Sequence, residues 1–248
     1  MSLFSFLQKH LQKLHRRAYP VNYTCYNCQA EVFNGQIFCS DCKDLVPYNT
    51  LYCLKCGRKI LQYGYCMDCR HTLPVFEKAR SLFVYEGQAV QFIHAFKNGN
   101  PHFAQGFAKE ALSIVRREFF DADFLTFVPM TKQAKDNRGY NQSELFARSM
   151  SEMSGISVEE IFEKKRDTPE QKNLTRSERQ NNLKGVFHVK HRSICKDKTV
   201  LLLDDTLTTG ATANELAKLL YGAKAKKVYL LTIASVVLQK TPPESSII

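Results

Sequence analysis

The chain has 248 residues, of which 44% are hydrophobic, and it carries a formal net charge of +11. That apolar content excludes a disordered chain and supports one large domain or two unequal ones, at about 150 residues per domain. The charge is concentrated: residues 1–70 hold nine Lys/Arg against four Asp/Glu, residues 164–192 hold nine against three, and the remainder balances. Such stretches predict a polyanionic partner, nucleic acid or a phosphorylated small molecule, against the plainer alternative of two solvated surfaces.

Residues 1–20 read as an amphipathic helix, with Leu3, Leu7, Leu11 and Leu14 on one face and Lys9, Lys13, Arg16 and Arg17 on the others. The interleaved Lys and His and the lack of a small-residue cleavage site argue against a signal peptide, and no run approaches the ~18 apolar residues of a membrane span. The expected location is cytoplasmic. The helix is expected to dock on its own protein or a partner, with the inner face of the membrane as the alternative.

Residues 21–74 carry eight of the nine cysteines in four C-x-x-C pairs: Cys25/Cys28, Cys39/Cys42, Cys53/Cys56 and Cys66/Cys69. Two thiolates two residues apart grip one tetrahedral ion from a tight turn, and a second pair returned by a hairpin closes a four-sulfur site. Eight ligands therefore predict two structural Zn²⁺ ions and a double zinc ribbon. A disulfide framework is the rival, and it conflicts with the expected reducing compartment. Sequential pairing and an alternating cross-brace fit the spacing equally. Tyr26, Phe33, Ile37, Phe38, Leu51 and Tyr52 supply the small core, and metal binding most of the stability. The lone Cys195 has no base beside it and reads as incidental.

From residue 77 to 238 the texture becomes α/β, and residues 239–248 read as a disordered tail. "ARSLFVYEG" is a strand, "QAVQFIHAFK" and "HFAQGFAKEALSIVRREFF" are helices, and "DFLTFVPM" is a strand stopped by Pro129. "NQSELFARSMSEMSG" is a helix opened by an Asn141/Glu144 capping box. "IFEKK", "TVLLLDD" and "VYLLTIASVV" are further strands, with a helix after the second. Near-continuous apolar strands alternating with helices predict a mostly parallel sheet covered on both faces, with ligands beyond the carboxyl ends of its strands.

Asp204 and Asp205 stand at such an end. The chain is expected to leave the sheet after Leu203 and pass through Thr206, Thr208, Thr209, Gly210, Ala211 and Thr212 into a helix. The first amides of that helix lack intrahelical acceptors and sit at the positive end of its dipole, so with the threonine hydroxyls and Gly210 they form a phosphate site. Carboxylates cannot face a phosphate, but they can accept hydrogen bonds from a neighbouring ribose diol, and Mg²⁺ arriving with the ligand can soften their charge. Neither G-x-x-x-x-G-K-[ST] nor G-x-G-x-x-G is present, which excludes the common nucleotide loops.

"LLLDDTLTTGAT" resembles the phosphoribosyl-pyrophosphate (PRPP) motif of type I phosphoribosyltransferases. "IHAFKNGN", "RGYNQSELFA" and "RDTPEQKNLTRSERQNNLKGVF", together with the cysteine-rich module, are similar to the ComF competence-protein family over nearly all of residues 25–236. The resemblance implies a phosphoribosyltransferase-like fold in which the acidic pair holds ribose hydroxyls and the following loop holds the 5′-phosphate. It implies a pyrophosphate loop at Pro129, Met130, Thr131 and Lys132, with Lys97 and Arg138 as further phosphate contacts. It also implies a flexible hairpin over PRPP that carries Arg166, Gln171, Arg176 and Arg179. The function it implies is a late competence protein that handles internalised single-stranded DNA, alongside a ComFA-like helicase partner and a recombination mediator. No general base and no acceptor pocket stands out, so whether the chain turns over PRPP is left open. A non-catalytic binding scaffold and a nucleotide-salvage phosphoribosyltransferase are the alternatives.

Overall fold

The structure, a computed structural model, describes residues 23–32, 36–166, 183 and 185–237. The helix expected over 1–20, the tail over 239–248, and Phe33, Gln171, Arg176 and Arg179 lie outside these residues. The chain divides into two units, Met1–Leu45 and Val46–Ile248. The sequence places the boundary after residue 74; the division falls between the two ribbons, and the second ribbon shares its unit with the sheet.

In the first unit β1 (Tyr23–Thr24) pairs antiparallel with β2 (Glu31–Val32), and α1 (Ser40–Lys43) follows Cys39. Tyr26, Val32, Ile37 and Phe38 are buried around the thiols, and the Tyr26 and Phe38 rings meet edge-on at 6.0 Å.

The second unit begins with a ribbon ending in α2 (Met67–His71) and continues with β3 (Lys78–Val84), α3 (Gln88–Lys97), α4 (Phe103–Glu118) and β4 (Phe124–Phe127). Next come α5 (Lys132–Arg138), α6 (Gln142–Ser154), β5 (Phe162–Lys164) and β6 (Phe187–Val189). The last elements are α7 (Arg192–Cys195), β7 (Thr199–Leu207), α8 (Ala211–Gly222) and β8 (Lys227–Ser235). Strands β3, β8, β7 and β4 lie side by side in that order, each pair parallel. Nearly every residue of β3 and β8 is buried, which is why they read as unbroken apolar runs. Phe83 of β3 packs on Phe92 of α3 at 5.0 Å, and Phe92 on Phe107 of α4 at 5.7 Å. Strands β5 and β6 form a separate antiparallel pair.

Three expectations change. The chain does not leave the sheet after Leu203: β7 runs on to Leu207, with Asp204, Thr206 and Leu207 opposite Thr232, Ala234 and Ser235. Only β4 stops, at Phe127 opposite Leu203, because strand pairing needs a neighbouring backbone and β8 still supplies one. The capping box is half formed. Asn141 accepts from the amides of Ser143 (3.0 Å) and Glu144 (3.4 Å), but Glu144 turns to Lys135 (2.7 Å) and Arg148 (2.8 Å), whose charges outcompete a backbone amide. Leu51 is 40% exposed and adds nothing to a ribbon core; Tyr52 lies instead under the guanidinium of Arg80 at 4.5 Å.

The second ribbon covers the outer edge of β3. Val84 N donates to Pro47 O (2.8 Å), Asn49 N to Leu82 O (3.0 Å) and Ala79 N to Lys55 O (2.8 Å), so the edge strand is paired on both sides. Gly57 permits this approach. Its φ is +70°, and a Cβ there would lie 2.5 Å from the Ala79 carbonyl oxygen. Arg80, buried on β3, donates to Leu54 O (3.1 Å) and pairs with Glu118 of α4 (3.1 Å), which also takes Lys78 (3.2 Å).

Candidate functional site

The eight paired cysteines gather in sequence order. Cys25, Cys28, Cys39 and Cys42 form one group, Cys53, Cys56, Cys66 and Cys69 another, and within each group the sulfurs lie within 4.8 Å of one another. The Cys28–Cys39 and Cys56–Cys66 sulfurs are 3.7 and 3.6 Å apart. A tetrahedral Zn²⁺ with bonds of about 2.3 Å sets its sulfurs about 3.8 Å apart, so both groups fit the ion and the cross-brace is excluded. No cysteine is in a disulfide. In the second group, hydrogen bonds from Cys56 and Cys69 pull the Cys53 thiol well below its ordinary range. Both groups close on four sulfurs, the arrangement of structural sites. Cys195 is fully buried, and burial raises its thiol further, which makes a poor nucleophile.

The acidic pair sits where β7 has outrun β4. Neighbouring strand residues face opposite ways, and the two aspartates find different partners. Asp204 accepts from Ser143 Oγ (2.9 Å) and from the amide of Asp205 (2.9 Å). Asp205 takes Lys97 Nζ at 2.7 Å. Burial, then the charge of Asp205, pushes Asp204 up to about 8. Burial alone would lower the Lys97 ammonium, but the charges of Asp205 and Asp204 win and hold it above its ordinary value. Burial and the neighbouring aspartate thus favour the protonated form of Asp204, while Lys97 lies against Asp205.

The loop beyond it opens onto α8. Gly210 is the N-cap in the left-handed region, φ 80°, and the first intrahelical bond runs from Asn214 N to Gly210 O (2.9 Å). The amides of Ala211, Thr212 and Ala213 thus precede the helical ladder, at the positive end of the dipole. Thr209 Oγ1 makes a long contact to Ala211 N (3.4 Å), Thr208 is exposed, and Thr212 is half-buried. The buried hydroxyl of Thr206 has no partner among the described residues. Two carboxyl groups and a set of amides outside the helical ladder therefore lie a few residues apart at one strand end.

Residues 14–70 match the family described as a double zinc ribbon domain. The chain is 27% identical over 214 residues to competence protein F of Haemophilus influenzae, covering 80% of this chain and 91% of that one. It is 25% identical over 226 residues to competence protein ComFC of Bacillus subtilis, covering 86% and 85%. The chain is thus similar to these competence proteins over most of its length. It is also 25% identical over 218 residues to the Escherichia coli DNA utilization protein YhgH, covering 84% and 95%. Among solved structures, it is similar to the B. subtilis glutamine PRPP amidotransferase at 20% identity, with a TM-score of 0.38 over 53% of this chain and 26% of that one. The purine phosphoribosyltransferase of Pyrococcus horikoshii follows at 15% identity, TM-score 0.32, over 55% and 88%.

The stretch "RGYNQS", quoted above for its resemblance, proves to be the brace of the acidic site. Arg138, exposed at the end of α5, donates to Gln142 (3.1 Å), and Gln142 reaches the Lys97 carbonyl (3.4 Å). Tyr140 donates to Phe96 O and accepts from Gly99 N (3.1 Å), while Asn141 holds Val128 O (2.9 Å). Ser143 completes the set on Asp204. Ser143 and Tyr140 were not singled out from sequence, although each lies within a quoted motif.

Pro129, Met130, Thr131 and Lys132 lead into α5, where Thr131 caps the helix by accepting from Ala134 N (3.2 Å). They line an open groove of about 740 Å³ together with Lys164, Lys165, Arg166 and Lys190. Glu144 and Glu160 also line it, already paired with Lys135 (2.7 Å) and Lys190 (3.1 Å). Arg166 thus shares a groove with the 129–132 loop, while Lys97 lies on Asp205. No helix among the described residues is long and apolar enough to cross a membrane.

Proposed function

We propose that the chain binds PRPP at the end of β7 and acts in the handling of incoming single-stranded DNA during natural transformation, the role suggested by the names of its homologues. The observation that carries the ligand reading is the juxtaposition of two aspartates, fixed by Ser143 and Lys97, with the open amides at the start of α8. The aspartates accept from the ribose hydroxyls, and the 208–212 loop takes the 5′-phosphate. Among the described residues, groups of three or more potential metal ligands are the two cysteine clusters, so the acidic pair offers at most two carboxylates. Mg²⁺ would be held by these and by oxygens of the ligand and water, its usual habit with phosphates. The ion supplies charge neutralisation for pyrophosphate, and the protein supplies orientation. Calorimetric titration of PRPP with Mg²⁺ into zinc-replete protein tests this. Binding by the parent and its loss in Asp204→Ala/Asp205→Ala supports the reading; a folded parent that takes no PRPP leaves the scaffold alternative.

The DNA reading draws on the basic groove. If phosphates of a single strand lie along Lys164, Lys165 and Arg166, log affinity falls with log salt, by about 0.7 per phosphate neutralised. Charge reversal at those three positions would flatten the slope. An unchanged slope would mean that DNA binds elsewhere.

A further inference from the structure

Arg58 follows the knuckle glycine of the second ribbon, and nothing above gives it work. It is 4% exposed, and its Nε has no partner among the described residues. Its ion pair with Asp68, at 3.6 Å, is too long for a hydrogen bond. The Cys56 sulfur also faces its charge, but neither Asp68 nor Cys56 gives the buried Nε an acceptor, a costly arrangement unless another anion completes it. The head group points at the loop after β7: Nη2 lies 3.5 Å from where a Cβ on Gly210 would stand. A cleft of about 50 Å³ separates them, lined by Arg58, Asp68, Thr209, Gly210 and Asn214 among others.

We propose that Arg58 is the fixed cation of the anion site at the start of α8, so that the second zinc ribbon forms part of the binding site and the ligand group it completes is a phosphate. This rests on reading the 208–212 loop as an anion site, but not on the ligand being PRPP. Without the anion, Asp68 holds the guanidinium loosely; with it, forked donors from the ribbon and amides from α8 grip the phosphate from two sides. Cys53, Cys56, Cys66 and Cys69 bracket the turns that carry both Arg58 and Asp68. Cys53, Cys56 and Cys69 also share a buried cluster with Phe76, Ala213 and Leu216, so the ribbon and α8 form one packed body.

The test is a titration with inorganic phosphate, which has no sugar, followed through the amide shifts of residues 208–213. Zinc content is measured on every variant. The parent is expected to saturate, and Arg58→Gln, keeping both ions, to weaken phosphate at least about tenfold. Asp68→Asn removes the competing anion and is expected to tighten phosphate about threefold, whereas a merely structural Arg58–Asp68 tie would predict no gain. The proposal is overturned if zinc-replete Arg58→Gln titrates like the parent, if Asp68→Asn does not tighten binding, or if the parent shows no saturable shift. Should Arg58→Gln lose zinc, the Asp68→Asn arm decides alone. A parent that binds phosphate through Arg58 but takes no PRPP would end the PRPP reading and support this one.

Discussion

The two zinc ribbons have nearly the same cysteine spacing and different fates. The first is built from its own residues, Tyr26, Val32, Ile37 and Phe38 around four thiols, and lies within its own unit. The second gives three of its cysteines to the buried cluster that contains β7, β8 and α8, and pairs its backbone along β3. Cysteine spacing therefore specifies a metal site but not what that site supports. In the second, Gly57 lets the ribbon touch the sheet and Arg80 ties it to α4.

Disabling each ribbon in turn should break this comparison most visibly. Cys53→Ser/Cys56→Ser removes ligands from a site whose binding energy is folding energy, and should destabilise the second unit by about 5 kcal/mol or more. Zinc content should drop to one ion per chain, and amides of Lys78–Val84 should lose hydrogen-exchange protection. Cys25→Ser/Cys28→Ser should also leave one ion, but with that protection intact. Gly57→Ala comes next: a Cβ 2.5 Å from Ala79 O in a left-handed conformation should cost about 3 kcal/mol in denaturant unfolding.

Arg80→Met should cost about 2 kcal/mol, because Glu118 then stays largely buried without its guanidinium, while Lys78 and residual solvent soften the loss. Burial opposes ionisation of Glu118, but Arg80 and Lys78 hold its pKa below the ordinary glutamate value. Its contribution is thus present above the unfolded pKa, near 4.3, and lost as pH falls through the lower folded value. Urea unfolding of parent and variant should converge toward low pH.

Asp204→Asn has the opposite sign. The folded pKa of about 8 exceeds the unfolded value near 3.9, so the native state holds the proton longer and stability falls as pH rises between them. The variant should lose that slope and melt higher than the parent at pH 8, by a margin that shrinks toward pH 4, while losing PRPP affinity.

The two cysteine groups and the turn from Thr208 into α8 were legible because their parts lie close together in the chain. Alternation of apolar strands and helices gave the parallel sheet for the same local reason. The extension of β7 to Leu207 was hidden, since its side chains turn polar while its backbone goes on pairing with β8. Ser143 and Lys97 meet the acidic pair from 61 and 108 residues away, and no local pattern announces a partner at that distance. The ties of the second ribbon were invisible for a similar reason: Gly57 and Arg58 look like ordinary knuckle residues until β3 and α8 lie against them.

The most direct test of the account is PRPP titration, with Mg²⁺, into the two ribbon variants side by side. If the second ribbon belongs to the binding unit, Cys25→Ser/Cys28→Ser should bind within about twofold of the parent and Cys53→Ser/Cys56→Ser should show no measurable binding, a difference well above 1.4 kcal/mol. Parent-like binding by the Cys53→Ser/Cys56→Ser protein would contradict the account.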